Sequence, residues 1–174
     1  MKINVLIVFT AMILAGLCSC QKAEQPFKDG VLYFNKGNYN IAIQDFTEAI
    51  KLDPKITDAY FYRGLSYVYR KEYDLALKDF DMAIQLNPEY KEAFYYRGNI
   101  YRIREDYMGA AADYSEAIRI DSEYVEAYLN RGIVFGIIGE DDRAISDWES
   151  VLRIAPNNSG AKQNLEKIRK PEEM

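Results

Sequence analysis

The feature that most constrains this chain is a 34-residue period. Gly30, Gly64, Gly98 and Gly132 fall in register, as do Ala42, Ala76, Ala110 and Ala144. Four residues after each alanine stand Phe46, Phe80, Tyr114 and Trp148, and seven after it Ala49, Ala83, Ala117 and Val151. The units run 23–56, 57–90, 91–124 and 125–158 and close on Pro54, Pro88, Ser122 and Pro156. In the second unit, Tyr60, Gly64 and Tyr67 recur at helical spacing, and so do Ala76, Phe80 and Ala83 after a charged turn. Each unit is therefore a helical hairpin, and the chain is an array of hairpins rather than a single globular fold. A glycine inside a helix costs about 1 kcal/mol relative to alanine. Four of them in register imply a gain from close helix approach.

These positions resemble the tetratricopeptide repeat, in which a small residue of helix A meets small residues of helix B. The resemblance covers residues 26–156 and implies an all-α fold, an α-solenoid in which helix hairpins wind into a right-handed superhelix. Residues 157–174 follow as a capping helix and tail, with Leu165 and Ile168 on the covered side of Ser159–Lys170. Three departures from the family pattern stand out. Pro26 is expected to start a short first helix. Ser122 replaces a closing proline and is expected to cap a helix start. Arg63, Arg97 and Arg131 recur on helix A and Asp45, Asp79, Asp113 and Asp147 on helix B, which suggests structural ion pairs whose register the sequence leaves open.

Residues 1–19 read as an export leader: Lys2 is followed by an apolar run from Ile3 to Leu17, shorter than the ~18 residues of a bilayer span. Leu17-Cys18-Ser19-Cys20 resembles the bacterial lipobox, which implies lipidation of Cys20 as the first mature residue. A retained anchor and ordinary signal cleavage are the alternatives. Residues 20–25 would then be a lipidated terminus and short tether, placing the body at the cell envelope. Gln21 lacks the aspartate that signals inner-membrane retention in some bacteria, which tilts the expectation toward the outer membrane.

The formal charge of -5 and the absence of any basic stretch argue against nucleic acid. The chain has no histidine, which removes the commonest general base and every histidine-ligated metal site. Carboxylates remain for catalysis, but Glu105-Asp106 and Asp141-Asp142 sit in turns leading into helix B, where acidic residues suit the helix dipole. No enzyme, metal or cofactor is expected.

The face of helix A opposite the packing residues carries Tyr62, Leu65 and Tyr69 in the second unit. It carries Tyr96, Asn99 and Ile103 in the third and Asn130, Ile133 and Ile137 in the fourth, with Phe61 and Tyr95 flanking. The resemblance implies that this face lines a concave peptide groove. Packing against a neighbouring helix A is the competing reading. Asp58, Glu92 and Glu126 form an acidic edge that equally serves the helix N-termini. The family's basic carboxylate clamp is absent: the corresponding positions are Phe27, Val31, Tyr62, Glu92 and Tyr96. The expected function is an envelope-anchored interaction scaffold or assembly factor that binds an apolar or aromatic peptide or helix, with basic residues near the acidic edge. A self-associating structural lipoprotein is the alternative, and a carboxylate-based enzyme the remote one.

Overall fold

The computed structural model describes residues 22–169, all of whose regular structure is helical. Helix α1 covers 22–35; α2 (Tyr39–Leu52), α3 (Thr57–Tyr69), α4 (Tyr73–Leu86), α5 (Lys91–Ile103), α6 (Tyr107–Ile120), α7 (Val125–Ile137), α8 (Asp141–Ile154) and α9 (Ser159–Arg169) follow. Odd-numbered helices up to α7 are the A helices of the four units and even-numbered ones the B helices. Two compact units divide at Asn87 and Pro88. In the first, α3 packs on α4 and on α2; in the second, α5 packs on α6, α6 on α7, and α9 closes against α8 and α7.

Each hairpin turns through the same device. Gly37, Lys71, Glu105 and Gly139 take positive φ of 75°, 61°, 62° and 79°, and the next amide donates back to the carbonyl of Tyr33, Tyr67, Tyr101 or Phe135 at 2.9 Å. This left-handed cap ends an A helix and satisfies its last carbonyls. Between units the chain becomes extended at Asp53, Asn87 and Asp121, and the proline or serine that follows cannot continue the helix or is turned out of it. Ser122 does not cap α7: the residue flanking that helix is Tyr124, with no side-chain cap, and the turn is held instead by Glu123 N–H donating to Asp121 Oδ1 at 2.9 Å. Pro26 does not start α1 either, because the helix already includes 22–25. Proline there removes one backbone hydrogen bond. Burial of Ala23 and the packing of Phe27 on Phe46, ring centroids 5.9 Å apart, hold the turn in place.

The core of every hairpin is a ring of helix B laid on a glycine of helix A. A Cβ on Gly30 would stand 2.6 Å from Phe46, on Gly64 2.8 Å from Phe80, on Gly98 3.0 Å from Tyr114 and on Gly132 2.5 Å from the Trp148 indole nitrogen. Ala42, Ala76, Ala110 and Ala144 are fully buried beside these rings. Gly136 is different: a Cβ there would meet Trp148 at 3.5 Å, an ordinary contact.

Charged pairs flank three of these rings. Arg63 donates through Nε and an NH2 nitrogen to both oxygens of Asp79 at 2.8 and 2.7 Å. Arg97 grips Asp113 and Arg131 grips Asp147 in the same bidentate way. Arg63 also donates to Thr47 and Arg131 to Ser115, each on the preceding B helix, so these two forks tie α3 to α2 and α7 to α6. The first unit breaks the series. Asp29 stands where the others have arginine, and Asp45 Oδ2 is buried without a partner. Burial, and then the Asp29 carboxylate, hold the Asp45 carboxyl above its ordinary value.

Four substitutions have expected outcomes in urea unfolding. Gly132→Ala is expected to lower stability by up to about 2 kcal/mol, since overpacking of about 1–3 kcal/mol is only partly offset by a helix-propensity gain of about 1 kcal/mol. Gly136→Ala in the same helix is expected to raise it by up to about 1 kcal/mol; equal effects at the two sites would reject the ring-on-glycine account. Asp29→Arg supplies the missing ion pair and is expected to stabilise by about 1 kcal/mol. Because the folded-state Asp45 carboxyl titrates above its unfolded value, its neutral form favours folding. That contribution is complete below the unfolded pKa and is lost as pH rises through the folded one. Asp45→Asn should therefore raise the urea midpoint at neutral pH and leave it unchanged in acid.

Candidate interaction face

The outward residues of the A helices differ between the two compact units. In the first unit, Tyr62 of α3 lies among the rings of Phe27, Phe34, Phe46 and Phe61 at centroid distances of 5.5 to 6.2 Å. It is half-buried and belongs as much to the core as to any groove. Phe61 and Leu65 are 6% and 7% exposed, so the outward placement expected from helical phase does not hold for them. Phe61 packs toward Phe80, ring centroids 6.0 Å apart. The expectation fails because an A helix within an array is covered on more than one side. Tyr69, in contrast, is 59% exposed, its ring stacked on Tyr39 at 4.5 Å with 2° between the planes. Phe34 touches both rings from the side.

In the second unit the face has a polar centre. Tyr114 OH donates to Asn99 Oδ1 at 2.8 Å, and Asn130 Nδ2 donates to Asn99 Oδ1 at 3.0 Å and to Tyr95 OH at 3.1 Å. Tyr95 packs against Tyr96, Tyr114 and Tyr124. Burial pushes the Tyr114 phenol up to about 12 against the pull of the Arg102 guanidinium, whose Nε is buried without a partner. Asn99 and Asn130 are thus tied together, and both remain half-exposed with Tyr95 and Tyr96. Ile103 and Ile137, one turn further along α5 and α7, are 50% and 52% exposed, while Ile133 is half-buried.

Arg102 was not singled out by sequence reasoning, and Tyr114 was read there only as a packing ring. The available signal was a coincidence within one repeat: a hydroxyl on the ring at Tyr114, where the other units have Phe46, Phe80 and Trp148, together with Asn99 where they have Val31, Leu65 and Ile133.

Asp58, Glu92 and Glu126 lie in the first turns of α3, α5 and α7, where a negative charge suits the helix dipole. Glu92 is also 3.9 Å from Lys91, which is engaged at 2.6 Å with Asp121 and lies over the Tyr124 ring. The turn acids have structural places too. Asp106 caps α6 by accepting from Gly109 N–H at 3.0 Å, and Asp141 and Asp142 occupy the first turn of α8. Among the described residues, no group of three or more side chains could hold a metal ion, and no helix is long and apolar enough to cross a membrane. Cys20 and the leader lie outside the described residues.

Comparison with known proteins gives the same architecture. A family model described as TPR repeat matches residues 30–68 and 98–136, and a second, tetratricopeptide repeat, matches 57–90. A crystal structure of MamA protein superposes with a TM-score of 0.80 at 23% identity, covering 85% of this chain and 81% of that one. MamA from Desulfovibrio magneticus RS-1 gives 0.71 at 21% identity over 79% and 77%, and the Arabidopsis OM64 TPR domain 0.63 at 24% over 66% and 94%. No curated protein sequence matches the chain. The tetratricopeptide repeat is a non-catalytic fold that mediates protein–protein interactions, and the repeated glycine-on-ring hairpins, the family matches and the superpositions together show that this chain belongs to the tetratricopeptide-repeat proteins.

Proposed function

We propose that this chain is a protein-binding scaffold or assembly factor of the bacterial cell envelope, lipid-anchored at Cys20, that takes an apolar or aromatic peptide or helix on the outward face of its A helices. The observation that carries the reading is the exposure of Tyr69, Ile103 and Ile137, large apolar residues at the same register position of three successive repeats. Exposed apolar surface that recurs with the repeat, flanked by half-exposed tyrosines, is the composition of a binding face. The acidic first turns at Asp58, Glu92 and Glu126 favour basic residues at one edge of the bound segment.

The anchor reading rests on the leader pattern alone. Gln21 tilts that reading toward the outer membrane, and self-association is the competing use of the same face.

Photo-crosslinkers at Tyr69, Ile103 and Ile137 in cells are expected to capture one defined envelope protein. Tyr69→Ala with Ile137→Ala should weaken that capture by about tenfold or more, as loss of about 1.4 kcal/mol or more at interface anchors implies, with little change in the urea midpoint. Crosslinks only between copies of the chain would favour self-association; unchanged capture by the folded double variant would reject the face. Cys20→Ser should move the protein from the membrane fraction to the soluble one, and retention in the membrane would reject the lipid anchor.

A further inference from the structure

At the end of the second unit, α7 and α9 meet at one end and part at the other. Gly160 of α9 sits against Leu129 of α7, with Cβ space 3.6 Å from its methyls, and Ala161 and Leu165 are buried. Toward their C-termini the helices leave a cavity of about 310 Å³. Ile133 and Ile137 of α7 and Trp148 of α8 make its apolar floor, and Gly136 leaves room by having no side chain. From α9, Ile168 adds to the apolar lining and Asn164 and Lys167 supply polar groups.

The volume is at the lower end of the ~300–1,000 Å³ of pockets that enclose small ligands, large enough for a bulky side chain. The charge in this lining is specific. Arg169, the other cation of the last turn of α9, is paired with Glu149 at 2.9 Å, whereas Lys167 has no ion pair among the described residues. An apolar floor beside an ammonium and an amide fits a ligand with an apolar body and a carboxylate close to it.

We propose that this cavity is a socket for a large apolar side chain of a protein partner that carries an aspartate or glutamate within a few residues of it. The socket extends the binding face described above and rests on the reading of that face as a partner site. It also gives the bound segment a direction. Glu126 lies at the other end of α7, about 16 Å from Ile137 by helical rise. The partner therefore presents its basic residue at the Glu126 end and its acidic residue at the Lys167 end.

The sole tryptophan of the chain, Trp148, lies in the floor and makes occupancy visible by fluorescence. Random linear peptides displayed on phage, selected against the chain without its leader, are expected to converge on a large apolar residue with Asp or Glu nearby. Synthetic copies should shift Trp148 emission. Lys167→Glu, at an exposed position, should weaken them by about tenfold or more and reverse the selected charge to Lys or Arg. Gly136→Leu, which fills the cavity, should abolish the emission change while far-UV circular dichroism stays that of the parent, and Gly136→Ala serves if the leucine unfolds the chain. Peptides without an acid, unchanged Trp148 emission, equal binding to Lys167→Glu, or no enrichment at all would each overturn the socket. Peptides that lose binding on Tyr69→Ala yet leave Trp148 unaffected would reject the socket while leaving the binding face intact.

Discussion

The contact on which the rest depends is the aromatic ring of each B helix lying on a bare glycine of the A helix before it. With 2.5 to 3.0 Å between ring and would-be Cβ, no other residue fits without moving the ring. The close approach lets the flanking alanines of the B helix be fully buried, and it fixes the rotation of helix A about its axis. That rotation decides which residues face the hairpin, which meet the preceding B helix, and which are left for a ligand. A glycine costs helix propensity everywhere, so its recurrence is sensible only where the helices gain more from contact than the backbone loses.

The Arg–Asp forks act on top of that packing. A buried ion pair is a poor source of net stability, because desolvating both charges offsets much of their attraction. Burial indeed pushes the Asp79 carboxyl up while Arg63 pulls it down. What such a pair supplies is geometry. Two parallel bonds fix the guanidinium plane, and the remaining nitrogen of Arg63 or Arg131 reaches Thr47 or Ser115 on the preceding B helix. The fork thus orients α3 on α2 and α7 on α6. Where Asp29 replaces the arginine, the first hairpin lacks this tie and carries two facing carboxylates. It relies instead on the rings of Phe27, Phe34, Phe46 and Tyr62.

The parts legible in sequence were those repeated four times. The glycine, alanine and ring positions located the hairpins and their core, and the prolines located the breaks. Position-specific features were harder to see. Pro26 looked like a helix start because proline is at home in a first turn, but burial of Ala23 upstream extends the helix past it. Tyr62 and Leu65 share a helical face with Tyr69, yet Leu65 is buried and Tyr62 sits in an aromatic cluster. Helical phase describes one helix in isolation, while burial depends on neighbours two or more elements away. The link between Asn99, Asn130 and Tyr114 joins residues of two repeats, and its one sequence signal, polar departures at Asn99 and Tyr114, shows only when the repeats are compared with one another.

In such an array the consensus positions are occupied by packing, so capacity to recognise a partner must come from positions where the repeats differ. The differences are concentrated on the A helices. Val31, Leu65, Asn99 and Ile133 share one register position, and so do Asn35, Tyr69, Ile103 and Ile137. At the first position the third repeat turns polar, where Tyr114 OH and Asn130 Nδ2 donate to Asn99 and Asn130 also donates to Tyr95 OH, so the polar groups there are positioned before anything binds. At the second, three of the four residues are large, apolar and at least half exposed. Within the second unit, a face with a fixed polar centre beside the exposed Ile103 and Ile137 pays little ordering entropy on binding, because the polar groups are already positioned. Its affinity then depends on how well the partner covers these isoleucines, and its discrimination on whether the partner can approach Asn99 and Asn130 without breaking their mutual bond.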